Sequence, residues 1–508
     1  MSTSTSDSRH SKQPAIARQT QANVLTADEP PPAASAVGIA VPAAGEPSTS
    51  LGLNRQRLAL AGFTAEPGST LVIPQQKGPT LVAVGVGTAD QLDSGRIRDA
   101  AAAFARAVPS QTELAFSLEG LDSVPTEAAA QAVVEGMLLA RYEYSGKRER
   151  KSEPIESITV VANAAAQAAV QAGAERGRVF AKATIMARDL GNTPHSHLDA
   201  MKLADRALEL GSAQGLEVEI FDKEALQQLR CGGLLSVNAG STAPPCMIKI
   251  VYRPQRGSTG SMAIVGKGVM YDSGGISLKP SDPVHARMKN DMSGAGAVLA
   301  AIAELGELDC STTVTGYLMC TDNMPSGSAM ALGDVFATHG GKTVEVFDTD
   351  AEGRLVMCDA LELAAEEQHD AIIDIATLTG SCARALGGDI AGLFGNDAAL
   401  IGQVEAAAAA TDELVWQLPL HRPYREILDS DVADLRNCGP VGQPDAIAAA
   451  LFLSAFVGET PWAHIDIAGT AWNEKDRLWR RVGCSGFGAR LLLELAMGFR
   501  PSGSRARH

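Results

Sequence analysis

Apolar and polar positions follow two patterns along most of the chain. Leu71–Ile73 and Leu81–Val86 are short β-rich runs. Asp93–Ala107 is Ala-rich with helical spacing, Glu113–Leu118 reads as a strand, Glu127–Tyr142 as a helix and Ser157–Ala162 as a further strand. Strands alternating with helices predict an α/β layer architecture over residues 51–180. Ala165–Leu190 is one Ala-rich helical stretch, long enough to link two domains, and Gly191-Asn192-Thr193-Pro194 ends it. The alternation then resumes at larger scale over residues 190–500. Its strand candidates are Met247–Tyr252, Ser261–Val265, Thr312–Met319, Val344–Phe347, Ala371–Ile375 and Trp462–Ile467. No fixed period relates the two blocks, so two different α/β domains are predicted.

Residues 1–50 lack hydrophobic periodicity. Ser, Thr, Ala and Pro dominate there, including Pro30, Pro31 and Pro32, and the segment is predicted to be a disordered tail. Arg9, Lys12 and Arg18 outnumber Asp7 in its first half, a balance that would also suit an organelle transit peptide. No apolar core of a secretory signal follows the first methionine. The longest strongly apolar run, Ala446–Val457, has 12 residues, whereas a membrane span needs about 20. The net charge of −16 argues against nucleic acid or anionic membrane as the main partner. The eight cysteines are scattered without a CxxC pair, as expected of reduced thiols in a cytoplasmic protein. Aromatic residues are only 4% against 50 glycines, which predicts close helix–sheet packing with few large side chains.

Two stretches carry candidate chemistry. In the first, an apolar strand runs into Gly266-Lys267-Gly268, followed by Asp272, Gly274-Gly275, Lys279 and Asp291. Charged side chains at the C-terminal end of a strand lie where open α/β sheets place their sites. In the second, a β-branched strand ends in Asp348, Asp350, Glu352 and Arg354 at alternate positions, which share a face if the segment is extended. Three acids on one face repel, and a divalent cation is the efficient counter-charge. Asp272, Asp291, Asp350 and Glu352 together match two divalent ions bridged by carboxylates, the usual equipment for hydrolysis with a bridging water. Lys279 and Arg354 then remain to stabilise developing oxyanion charge.

Each stretch alone also reads as a solvated turn or a helix cap. Gly266-Lys267-Gly268 lacks the P-loop spacing, and Ser273 is not in a GxSxG elbow. The nine histidines show no HExxH, and His464, inside an apolar strand, reads as a satisfied core residue.

Taken together, the two stretches carry a resemblance. Asp348-Thr-Asp-Ala-Glu-Gly-Arg-Leu355 is similar to the NTDAEGRL signature of the leucyl (cytosol) aminopeptidase family. Residues 265–280 resemble the family's other metal-binding segment, and Ala187–Pro194, Asp322–Pro325, Asp374–Gly380 and Asp466–Trp472 also fit. The resemblance implies a smaller macro-domain-like N-terminal α/β domain and a larger catalytic α/β domain with a mixed twisted sheet. It implies two divalent ions, Zn²⁺ or Mn²⁺, with Lys267, Asp272, Asp291 and Glu352 at the tight site and Asp272, Asp350 and Glu352 at the exchangeable one. Lys267 would ligate as a neutral amine, so a depressed pKa is expected of it. Lys279 would polarise the scissile carbonyl, and Arg354 would hold a bicarbonate acting as the base. Thr377 and Leu378 would contact substrate, and Met288 and Ala468 would line the pocket for the N-terminal side chain. The implied function is removal of an N-terminal residue, preferably Leu or another apolar one, from short peptides by a homohexamer.

Four departures from the family pattern stand out. Asp348 replaces Asn, Lys279 to Asp291 is one residue longer, Leu332 replaces Pro, and Pro444-Asp445 replaces small residues near the substrate channel. The competing readings are a non-catalytic relative that keeps the fold, and a DNA-binding accessory protein. The complete ligand set opposes the first. The charge and the lack of an N-terminal basic patch oppose the second.

Overall fold

A computed structural model describes residues 22–144 and 151–502. The expectations for residues 1–21 fall outside the described residues. Those for 22–50 do not hold: β1 (Asn23–Ala27) and β2 (Ala36–Pro42) lie in this segment and belong to the first sheet. The Pro-rich stretch is the loop between them, and Ala36–Val41 are all buried. The run Ala36–Val41 is itself apolar, but it is short and continuous rather than alternating, and Ser-, Pro- and Ala-rich segments flank it on both sides.

The N-terminal domain adds β3 (Thr70–Ile73), β4 (Thr80–Gly87), β5 (Glu113–Ser117) and β6 (Ser157–Val161). The sheet order is β1-β6-β5-β2-β4-β3, parallel except for β3. The helices Ser94–Ala107 and Thr126–Ala140 cover it with small buried residues, mostly alanine. The long helix Gln167–Asn192 packs on Thr126–Ala140 of this domain and on Ser293–Glu304 of the next. Arg188, fully buried on it, donates to the carbonyls of Leu139, Trp479 and Ser485 and so ties the two domains.

The second domain runs in chain order through β7 (Glu217–Phe221), β8 (Cys246–Tyr252), β9 (Ser261–Asp272), β10 (Thr313–Asn323), β11 (Val335–Ala337), β12 (Thr343–Glu345), β13 (Ala371–Ala376), β14 (Ala391–Gly395), β15 (Val415–Gln417), β16 (Leu435–Arg436), β17 (Trp462–Asp466), β18 (Trp472–Asn473) and β19 (Gly483–Cys484). Eight of these form one mixed sheet in the order β15-β14-β17-β13-β9-β10-β8-β7. Its centre, β17-β13-β9-β10, is parallel. Helices cover both faces, which is why the central strands are apolar on both sides. On β9, Met262 and Ile264 enter one core layer while Ala263 and Val265 enter the other. A Cβ on Gly266 would come within 2.8 Å of Ala295 Cα, so glycine lets the start of helix Ser293–Glu304 sit directly on β9.

Among the described residues no helix is long and apolar enough to cross a membrane. All eight cysteines are free and buried.

Candidate active site

The four central parallel strands end at one place. β9 ends in Asp272, β10 in Asn323, β13 runs into Thr377 and Leu378, and β17 ends in Asp466. A charged crevice at the carboxyl ends of parallel strands is therefore built by topology.

β9 continues seven residues beyond its predicted end, so Lys267 lies within the strand rather than after it. Its ammonium is buried and meets Asp291 Oδ2 at 2.9 Å and Glu352 Oε1 at 2.8 Å, and it donates to the Thr377 carbonyl at 2.8 Å. Burial opposes its charge, yet Asp291, Glu352 and Asp272 outweigh burial and hold its pKa above the ordinary lysine value. Without an ion the surrounding carboxylates thus favour the ammonium form, and the depression expected of Lys267 belongs to a site that holds metal.

Asp272, Asp350 and Glu352 bring carboxylate oxygens within 4.8 Å of one another. Lys279 bridges this group, 2.8 Å from Asp272 Oδ2 and 2.5 Å from Asp350 Oδ1. Asp291 joins through Lys267, and its Oδ1 accepts from Thr377 Oγ1 at 2.7 Å. Burial and the crowding of like charges push the carboxyls of Asp291 and Glu352 up, and that of Asp350 up to about 7. Glu352 Oε2 is buried without a hydrogen-bond partner. Crowded carboxylates with a free buried oxygen fit a divalent cation.

The extended geometry expected for Asp348–Arg354 is not what forms. β12 stops at Glu345 and pairs in a small separate sheet with β11 and β16. The chain then turns: Asp348 Oδ1 accepts from the Asp350 N–H at 2.9 Å, an Asx turn. Glu352 immediately precedes the helix Gly353–Glu366 without a side-chain capping bond, and Arg354 lies in that helix. Asp348 consequently stays out of the carboxylate group, while Asp350 and Glu352 enter it.

Gly274, at φ +86°, starts the turn after β9 and leaves room for Asp350, whose Oδ1 would be 2.8 Å from a Cβ there. Asn323 fixes Asp272 by donating to Oδ1 at 2.9 Å, and it also donates to the Thr349 carbonyl at 2.9 Å. This joins the two predicted stretches.

Arg354 is buried and donates through Nη1 to the Asn437 carbonyl at 2.9 Å and through Nη2 to Asp445 Oδ1 at 3.0 Å. The backbone N–H groups of Leu378 and Ala468 converge on Asp466 Oδ1, at 3.2 and 3.1 Å. Met288 is half-buried in the turn just before Asp291, which donates its N–H to the Met288 carbonyl at 3.3 Å. Asn437 was missed by sequence reasoning; a lone asparagine in a loop gives no signal. Asn437 Oδ1 accepts from Phe347 N at 2.7 Å, and Asn437 Nδ2 donates to the Asp348 carbonyl at 2.6 Å, so it shapes the acidic turn. His464 is a core residue, its Nδ1 2.5 Å from Asp374 Oδ1.

A two-domain α/β fold with a carboxylate–lysine cluster at the ends of its parallel strands fits a metal-dependent hydrolase. Residues 185–493 match the cytosol aminopeptidase family's catalytic domain, and residues 50–151 match its N-terminal domain. The chain belongs to the cytosol aminopeptidase family. It is 42% identical over 463 residues to a probable cytosol aminopeptidase of Chlorobium luteolum, covering 86% of this chain and 90% of that one. It is 40% identical over 433 residues to a probable cytosol aminopeptidase of Roseiflexus castenholzii, covering 84% and 88%. Among solved structures, the bottromycin maturation enzyme BotP in complex with Mn is similar, with a TM-score of 0.84 and 36% identity over 92% of this chain and 99% of that one.

Proposed function

We propose that this aminopeptidase removes the N-terminal residue, preferably Leu or another apolar one, from short peptides with two divalent ions, Zn²⁺ or Mn²⁺. The observation that carries the reading is the meeting of Asp272, Asp350 and Glu352 within 4.8 Å at the strand ends, with Lys279 laid across them. Lys267, Asp272, Asp291 and Glu352 would hold one ion, and Asp272, Asp350 and Glu352 the other. Bound there, divalent ions would acidify a water and polarise a carbonyl. Lys279 offers a partly exposed ammonium to the developing oxyanion. Thr377 orients Asp291, and the Leu378–Ala468 edge, pinned by Asp466, would receive the substrate backbone. Met288 would line the side-chain pocket, where a flexible thioether suits Leu or Met.

Arg354 is the residue that would hold bicarbonate. Its Nη2 already carries the Asp445 carboxylate. A bicarbonate held there would share the guanidinium with Asp445, and Arg354 Nε, buried without a hydrogen-bond partner, is a further donor for it. The assembly proposed is a homohexamer in the cytoplasm.

The test is hydrolysis of leucine p-nitroanilide by chelator-treated protein re-supplied with Mn²⁺ or Zn²⁺, with Glu352→Ala as control. Activity restored by metal in the parent alone supports the reading. A folded protein inactive with every metal would sink it.

A further inference from the structure

The N-terminal domain holds a cavity of about 550 Å³ built only from residues between Asp28 and Ala166, none of them in the catalytic domain. Its place follows from topology. β2 and β5 are parallel neighbours, but the chain leaves β2 toward β4 on one side and leaves β5 toward β6 on the other. The carboxyl ends of β2 and β5 therefore part, which makes a topological switch point, the position where open α/β sheets bind ligands. The cavity opens there, floored by Val37 and Ile39 of β2, Leu118 after β5 and Val161 of β6. Its volume lies within the roughly 300–1,000 Å³ of small-molecule sites.

The polar wall has one sign. Asp28, Glu29, Glu119 and Asp122 line the cavity at exposed positions, and no lysine, arginine or histidine does. Glu119 is held by a hydroxyl, with Ser48 Oγ donating to its Oε2 at 2.6 Å. Ser117 and Asn163 add neutral polar groups. Such a wall repels phosphates and carboxylates and attracts cations.

We propose that this cavity is a second binding site, for a small organic cation: an amine or guanidine on an apolar stem. The apolar floor takes the stem, and the carboxylates at the rim take the charge. The site is separate from the peptidase centre and does not depend on it.

The experiment is calorimetric titration of the full chain with agmatine. One saturable site is expected, weakened about tenfold in Asp28→Asn/Asp122→Asn by the loss of two exposed ion pairs. About 0.5 M sodium chloride should weaken it as well, and Glu352→Ala should leave it unchanged. Asp122→Lys provides a second variant at an exposed position, and an unchanged melting temperature shows that it folds. Absence of saturable binding, equal affinity in the cavity variants, or loss of binding in Glu352→Ala would each overturn the proposal. The last outcome would place agmatine on the carboxylate cluster instead.

Discussion

The carboxylate of Asp445 joins the buried guanidinium of Arg354 to the helix Gly380–Leu386: Oδ1 accepts from Arg354 Nη2 at 3.0 Å, and Oδ2 accepts from Ser381 Oγ at 3.3 Å. A small residue at position 445 would leave that guanidinium without an anion. Removing the carboxylate leaves a buried cation short of a charge-assisted hydrogen bond. Asp445→Ala is expected to lose about tenfold in kcat in carbonate-depleted buffer and to recover with added bicarbonate or formate. The parent enzyme, whose guanidinium already has the Asp445 carboxylate, should respond less to either anion. A titration of both proteins with bicarbonate measures this, and equal responses would mean that Asp445 does not serve as the anion at Arg354.

Lys279 touches Asp272 and Asp350 and is partly open to solvent. If it stabilises an oxyanion, Lys279→Ala should lower kcat by about 100–1,000-fold with little change in KM. The same change deletes the ammonium that neutralises two metal-site carboxylates. Binding of Mn²⁺ to metal-free protein should therefore tighten, which calorimetry reads without any turnover. A large rise in KM at unchanged kcat would assign Lys279 to substrate binding alone.

Asp348 departs from the family's Asn, but its role in the structure is to accept the Asp350 N–H. An asparagine Oδ1 can accept the same hydrogen bond. Asp348→Asn should keep kcat/KM within about threefold and leave the melting temperature unchanged, whereas Asp348→Ala should cost about 1 kcal/mol. Thermal melts of the two variants separate hydrogen bonding from charge.

The sequence was most legible where strands carry their own apolar signal. β4, β5, β6, β8, β13 and β17 lie within a residue or so of their predicted bounds. It was least legible where tertiary contact decides. Glu217–Phe221 and Val415–Gln417 are edge strands, and Ala391–Gly395 is small and glycine-rich, so none shows a strong β pattern. At the site, the residue types and the two stretches pointed to the right chemistry, but the local geometry did not follow from alternation. A helix starting at Gly353 bends Asp350 and Glu352 into the cluster and leaves Asp348 outside. The tie supplied by Asn437 is a long-range contact, which a single sequence does not display.

The domain junction carries a buried ion cluster. Glu135 Oε2 accepts from Arg98 Nε at 2.8 Å and from Arg490 Nη1 at 2.7 Å, all three side chains being buried. Burial opposes the charge of Glu135, but the two arginines together hold its pKa below the ordinary glutamate value. Glu135→Gln leaves both guanidiniums short of their shared counter-charge and should destabilise the protein by about 3–5 kcal/mol. Urea unfolding at neutral pH measures this. Because the folded pKa is depressed, the stabilisation is present above 4.5, the ordinary value, and is lost as pH falls through the folded value. The gap between parent and variant should narrow in acid.

Glu304 behaves in the opposite sense. It ends the helix Ser293–Glu304, has no exposed surface, and pairs with Lys182 of the linking helix at 2.7 Å. Burial is the largest influence and raises its carboxyl from 4.5 to about 7, with Lys182 only partly offsetting it. Between those two values the folded protein keeps a proton that the unfolded chain has released, so stability falls as pH rises through the window. The upper bound on this loss is about 3 kcal/mol. Glu304→Gln fixes the neutral form, and Lys182 keeps Glu307 as a partner at 3.2 Å. The variant should match the parent at pH 5 and exceed it in urea midpoint at pH 8. A difference that stays constant across this range would mean that Glu304 does not titrate there.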